Sequence, residues 1–421
     1  MWLASHAKPR LATSLKWQSH VSVPELAALP SADDEPGDIA VMLTGGGARA
    51  AYQVGLLKGI ARHFPQLRFQ IITGVSAGAI NAVFLAATDD GLTDAVERLA
   101  KLWCNLRCDH VFRPNYTALL PFRSALRSVS PVHFRGGPHG IFNAGPLASL
   151  LRRLFGCPIR RMPIDGIRRN LEKGWLKSIS LIGLDYTTGQ SVRWVQGRNF
   201  DVHEGPNCRV APAELTVEHV LASAALPFIF PAVRIGDSWY GDGGIRLSAP
   251  LSAAVHLGAR RILAMSTGHQ RSPDQAATRV VEGYPPAAQI ISQLVNAIFL
   301  DVIDEDVVRM ERMNELLRQV PPESRDGMKP IDLFVLRPSR DLGKLAGEYQ
   351  RRLPLSAKLM VRALGAYETE SPDVVSMMMF EPDYLRVLLE LGEKDVEDRR
   401  SELAVFLQEN IRPAFGCQIR R

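Results

Sequence analysis

From residue 38 onward, short apolar runs alternate with longer segments in which apolar residues recur every three or four positions. The first pattern predicts buried strands and the second predicts helices packed on them. Ile39 to Leu43 reads as a strand, Ala50 to Ala61 as a helix, Phe69 to Thr73 as a strand, and Ala77 to Ala87 and Leu92 to Asn105 as helices. Further strands are expected at Lys177 to Asp185, Gln190 to Val195, around Trp239 and at Arg261 to Ser266, with helices at Thr216 to Ala225 and Pro250 to Leu257. Such alternation predicts an α/β fold in three layers, a mainly parallel central sheet with helices on both faces.

Beyond residue 268 the pattern changes. Gly268 to Pro286 is polar and rich in turn residues, so a mobile loop near the site is expected there. Ala288 to Leu317 and Leu345 to Ala366 read as helices with a strand, Ile331 to Leu336, between them. Pro382 to Asn410 has an amphipathic helical pattern broken near Gly392, a face expected to pack on the core or on a second copy of the chain. At the other end, Pro9, Pro24, Pro30 and Pro36 and the polar run Ser31 to Gly37 predict an extended arm. The expected division is therefore an arm and linker at 1–37, a catalytic domain at 38–268, and a loop plus mostly helical region at 269–421.

With 421 residues, 46% of them hydrophobic, the chain can bury a large core. No uncharged apolar run reaches the roughly 18 residues of a membrane span, and no leader pattern opens the chain. The five cysteines are scattered without paired spacing, which argues against a metal and for a reducing, cytoplasmic setting. Charge is unevenly placed. Between His110 and Ile164 no Asp or Glu occurs, whereas Arg113, Arg123, Arg127, Arg135, Arg152, Arg153, Arg160 and Arg161 do. Interleaved Phe112, Phe122, Phe134 and Phe142 favour an anionic phospholipid surface over nucleic acid as the partner of that block; a solvated face with counter-charges from elsewhere is the competing reading.

Three short motifs carry the chemistry. Gly45-Gly46-Gly47-Ala48-Arg49 follows the first strand and opens a helix. It fits a dinucleotide loop poorly, because no acidic residue occurs between Asp38 and Asp89 to hold a ribose, and no Gly-Lys-Ser/Thr ending is present for a phosphate loop. Glycines at a helix start can instead aim backbone N–H groups at a developing oxyanion. Gly74-Val75-Ser76-Ala77-Gly78 places Ser76 on a tight turn between strand and helix, where flanking Gly74 and Gly78 permit the bend. Ser76 lies 29 residues past Gly47, enough for one strand-helix-strand unit, so both turns should open at the same sheet edge.

A serine nucleophile needs a base. Of the ten histidines, His269 is best placed for a Ser, Asp, His order. Against it stands Asp242 in Asp242-Gly243-Gly244, a carboxylate that could reach Ser76 and, partly desolvated, take the proton itself. A turn aspartate capping its own loop is the plainer alternative.

With these residues in order, the chain resembles the patatin-like phospholipases, whose glycine-rich oxyanion loop, Gly-x-Ser-x-Gly turn and Asp-Gly-Gly motif match Gly45 to Arg49, Gly74 to Gly78 and Asp242 to Gly244. Ala222 to Val233 resembles the segment such proteins carry before the aspartate. The resemblance covers about 38–268 and departs at Ala50, where a glycine often closes the first loop. It implies a Ser76–Asp242 dyad, an oxyanion hole from Gly45, Gly46 and Gly47, a loop-steadying or anion-steering Arg49, and glycerophospholipid esters as substrate. It implies no cofactor and no metal, and work at an anionic membrane surface from the cytoplasm. A histidine triad esterase using His269 and a lipid-binding scaffold with little turnover are the alternatives.

Overall fold

Ile39–Leu43 is buried at every position and forms β1, the strand around which the rest is laid. The computed structural model describes residues 38–115, 140–198, 200, 204–270, 287–349, 358 and 373–408, all of them within the unit Pro36–Arg421. The expected N-terminal arm, most of the loop at 268–286 and most of the helix at 345–366 lie outside the described residues.

The sheet runs β11 (Asp332–Leu336), β10 (Arg261–Met265), β1, β2 (Ile71–Val75), β5 (Ser178–Asp185), β6 (Ser191–Gly197), β7 (Cys208–Pro212). The first five are mutually parallel, β5 and β6 are antiparallel, and β6 and β7 are parallel. Beside the C-terminal end of β5 lies β9 (Ser238–Asp242), antiparallel to it and to β8 (Val233–Ile235). β3 (Arg113–Pro114) and β4 (Phe142–Asn143) form a separate ribbon. The helices are α1 (Ala50–His63), α2 (Ala77–Ala87), α3 (Leu92–Cys104), α4 (Cys108–Val111), α5 (Gly145–Leu154), α6 (Asp165–Glu172), α7 (Val217–Ser223) and α8 (Ser252–His256). After β10 come α9 (Ala287–Phe299), α10 (Val302–Gln319), α11 (Leu342–Tyr349), α12 (Asp373–Met378), α13 (Pro382–Asp398) and α14 (Arg400–Gln408).

Period-2 alternation splits the core in two. Ile39, Val41 and Leu43 pack with α1, α2, α3 and α13, whereas Ala40 and Met42 pack with Leu251, Ala254 and Ile303 on the other face. The mainly parallel, helix-covered sheet expected from the alternation is thus present.

Two helical expectations differ from the structure. The segment expected as one helix over 288–317 is divided, because the Asp301 N–H turns back to the Asn296 carbonyl (3.0 Å) before α10 starts. Conversely α13 runs straight through Gly392. That glycine is a contact point rather than a breaker: a Cβ there would stand 2.4 Å from the Tyr52 carbonyl, and one on Gly55 would stand 2.1 Å from that of Leu389. Glycine on both partners brings α1 and α13 into backbone contact, and the chain bends only at Arg399. Among the described residues no helix is long and apolar enough to cross a membrane.

Candidate active site

β2 ends at Val75 and α2 begins at Ala77, so one residue must turn the chain from strand to helix. Ser76 does so at φ 55°, ψ −132°, a conformation that costs a non-glycine residue about 1–3 kcal/mol and persists only if its surroundings hold it. They do. Its N–H donates to Ser223 Oγ (3.0 Å), and Ser223 donates to the Ile182 carbonyl (2.6 Å). A Cβ on Gly78 would lie 2.4 Å from the Leu43 carbonyl, so only glycine lets α2 start this close to β1.

One strand aligns nucleophile and carboxylate. Ile182 of β5 pairs with Val75, and the next residue, Gly183, pairs with Asp242. Ser76 and Asp242 are therefore brought to one place by consecutive positions of β5, although 166 residues separate them in sequence. The Asp242 N–H is tied to the Ala225 carbonyl (2.9 Å), and Gly243 passes so near Ile182 that a Cβ would sit 2.3 Å from its oxygen.

Asp242 is fully buried. Its Oδ1 accepts the Gly244 N–H (2.9 Å), which caps the turn. Oδ2 has no partner of hydrogen-bond geometry among the described residues. Burial raises the carboxyl pKa to about 7, while the nearby Ser76 hydroxyl and the Gly244 N–H pull it down in part. The Ser76 hydroxyl thus stands close enough to favour the carboxylate without a tight bond to the free oxygen, a spacing common in resting enzymes.

The glycine loop closes over the serine. A Cβ on Gly45 would lie 2.9 Å from Ser76 Cβ. Gly46 and Gly47 follow at φ 142° and 58°, values that turn the loop as only glycine readily can. Neither donates a backbone hydrogen bond to any described residue. The loop is held from behind, where Thr267 Oγ1 donates to the Gly45 carbonyl (2.5 Å) and Gln53 Nε2 to that of Thr44 (2.8 Å). Gln53 in turn accepts from Asn81, which accepts from Trp103 Nε1 (2.9 Å). Ala50 begins α1 with ordinary helical angles and a fully buried methyl, so the departure at this position leaves the loop undistorted.

Arg49 points inward. Its Nε donates to Ser376 Oγ (2.5 Å) and its Nη2 pairs with the Asp373 carboxylate, both on α12. The other Asp373 oxygen accepts from Asn296 (2.7 Å) and Ser292 (3.4 Å) of α9. Buried and paired, Arg49 has the contacts of a tie between loop and C-terminal helices.

Ser76 opens on an apolar cavity enclosing about 610 Å³ of empty space, mouth included, walled by Ile80, Trp103, Leu147, Phe230, Met377 and Phe380 among others. Asp373, Ser376 and Met377 escaped sequence reasoning, since nothing local marks them. Gln53 and Asn81 did leave a signal, as amides set among apolar neighbours on their helices.

His269 Nδ1 lies 2.9 Å from the Pro338 carbonyl. His219 caps α7 through Thr216, and burial lowers its pKa to about 4. Neither of these histidines hydrogen-bonds Asp242, whose Oδ1 accepts the Gly244 N–H and whose carboxyl has the Ser76 hydroxyl close by. Among the described residues no group of three or more His, Cys, Asp or Glu could hold a metal ion. The basic block is also less bare than its sequence, because Arg152 (3.0 Å) and Arg160 (3.7 Å) share the buried Glu218. Arg123, Arg127 and Arg135 lie outside the described residues.

The Patatin family model, described as patatin-like phospholipase, matches residues 41–255. No curated protein matches the chain in sequence. Among solved structures, human GIVD cytosolic phospholipase A2 is 11% identical with a TM-score of 0.43, the match covering 89% of this chain and 60% of that one. VipD from Legionella pneumophila is 14% identical with a TM-score of 0.32, covering 72% of this chain and 61% of that one. ExoU of the Pseudomonas aeruginosa type III secretion system, solved with SpcU, is 17% identical with a TM-score of 0.25, covering 90% and 80%. The chain thus spans about three-fifths of the human enzyme's length.

Proposed function

Because this chain belongs to the patatin-like phospholipase family, we propose that it is a serine acyl hydrolase acting on fatty-acyl esters of glycerophospholipids through a Ser76–Asp242 dyad. The observation that carries the reading is the convergence of Ser76, the unpartnered Oδ2 of buried Asp242 and two free glycine N–H groups at the mouth of an apolar cavity.

The acyl chain enters that cavity and sets the ester carbonyl against Ser76. As Oγ attacks the carbonyl carbon, its proton passes to Asp242 Oδ2, and the carbonyl oxygen becomes an oxyanion facing the N–H groups of Gly46 and Gly47. One such donor is worth roughly 3–4 kcal/mol of barrier in other hydrolases. Collapse expels the lipid alkoxide, which takes the proton from Asp242. Water then attacks the acyl-serine, giving a proton to Asp242, and as the tetrahedral intermediate collapses the departing Ser76 oxygen takes that proton and the fatty acid is released. Arg49, tied to Asp373, holds the loop in register for both steps. The substrate places this work at a membrane surface, reached from the cytoplasm by a protein that binds peripherally.

Release of fatty acid from mixed phospholipid vesicles tests the reading. Ser76→Ala and Asp242→Asn should each abolish it with the fold intact, since the pair acts as one unit, whereas His269→Ala should keep most of it. Loss in the histidine variant equal to that in the other two, with normal melting, would move the base to His269.

A further inference from the structure

Next to the acyl cavity runs a second depression, between α5, the turn at 158–161, α7 and the segment 230–234, enclosing about 1290 Å³ of space open to solvent. The two share Leu147, Ala224 and Phe230 as a common wall. The groove differs in carrying charge on a largely apolar wall: Arg152, Arg160, Arg161 and Arg234 line it together with Trp239, and Glu218 is its one acidic lining residue among the described residues.

Glu218 is used up within the protein. One oxygen faces Arg152 and Arg160, and the other accepts the backbone N–H of Arg161 (2.9 Å). That last bond pins Arg161 at φ 62°, an unfavourable backbone angle for a side chain of its size. The Arg161 guanidinium has no ion pair among the described residues. Arg234 donates from Nε to the Gly236 carbonyl (3.2 Å) and pairs through Nη2 with the exposed Asp237 at 3.7 Å, a pair that water screens. Arg152 Nε is buried without a partner among the described residues. The groove therefore holds a surplus of cations and a spare donor, fixed by a buried carboxylate, one wall away from where an acyl chain would lie.

We propose that this groove binds the phosphate of the lipid headgroup, and that the enzyme selects phosphate-bearing acylglycerols over neutral ones. The inference rests on the acyl-hydrolase reading for what fills the adjoining cavity. Guanidinium forks match phosphate oxygens bidentately, and an indole edge suits the glycerol backbone between phosphate and ester. Arg161 supplies free charge and Arg234 a water-screened one, while Arg152 and Arg160 sit against Glu218.

The test uses a short-chain phosphatidylglycerol kept below its micelle concentration, so that no membrane is present, against the matching diacylglycerol. In full-length protein carrying Arg161→Gln with Arg234→Gln, which leaves the Glu218 ties intact, kcat/KM on the phosphatidyl lipid should fall at least about tenfold, mostly through KM. On the diacylglycerol it should stay within about twofold of the parent. Equal losses on both lipids, or none on the phosphatidyl lipid, would overturn the proposal. Binding of the same lipid by the Ser76→Ala protein gives a readout without turnover, so absence of hydrolysis in the parent would sink the acyl-hydrolase reading and leave this one still measured. Inorganic phosphate competing as tightly as the lipid would make the ligand a free phosphate. A deficit seen only in co-sedimentation with anionic vesicles would make the patch a membrane face; either result rejects a headgroup site.

Discussion

The proposed chemistry needs Asp242 ionised, and burial decides the pH at which that happens. With a pKa of about 7, only about one carboxyl in a hundred is ionised at pH 5, and the fraction grows tenfold per pH unit until it levels near 7. An ordinary aspartate would already be ionised at pH 5. kcat/KM on a soluble ester should therefore rise about a hundredfold between pH 5 and 8. Stability should move the opposite way. The folded carboxyl holds its proton more tightly than the unfolded one, so its contribution is full below the unfolded value near 3.8 and is lost as the pH climbs to about 7. Three units of difference correspond to on the order of 4 kcal/mol. Asp242→Asn carries no such penalty, so it should melt above the parent at pH 8 and near it at pH 4. Stopped assays across the range, with circular dichroism melts of both proteins, check the two halves together. A flat rate profile from pH 5 to 8 in protein that stays folded, or an Asn variant gaining nothing at pH 8, would refute the assignment of Asp242 as a buried base.

Three shorter predictions accompany it. Gly47→Ala places a methyl 2.2 Å from the Met377 carbonyl at φ 58°, and should cost activity on every ester by the roughly hundredfold to thousandfold expected of a displaced oxyanion donor; unchanged turnover would remove Gly47 from that role. Asp373→Ala leaves the Arg49 charge buried and unpaired, which should lower unfolding free energy in urea by roughly 3–5 kcal/mol, with Asp373→Asn intermediate. Hydrolysis should persist in excess chelator because backbone amides polarise the carbonyl; strict dependence on calcium would contradict this.

Much of the architecture was legible because it is local. A strand, one turn residue and a helix are written within Arg68 to Ala87, and the helix expected at Ala77 to Ala87 has those same bounds. Short apolar runs fixed β1, β10 and β11 within a residue or two. What escaped depends on pairing across distance. No reading of Asp242 reveals that it stands one β5 residue beyond Val75. Nor does the arginine block disclose that Glu218, far downstream, neutralises part of it. Gly392 reads as a breaker only until the backbone of α1 is seen beside it. For Arg49 the choice between steadying the loop and steering an anion could not be read locally for the same reason, since its partners come from a helix with no motif of its own.

The tie between Arg49 and Asp373 spans 324 positions, and a ribosome makes about 5–20 residues each second. Some 15 to 65 seconds therefore separate the emergence of the glycine loop from that of the carboxylate that neutralises it. Over the last 131 positions of that interval, from Asp242 to Asp373, the nascent chain owns its glycines, its serine and its aspartate, yet Arg49 has no counter-ion. The loop is thus made unfinished, and the carboxylate that completes it arrives with α12.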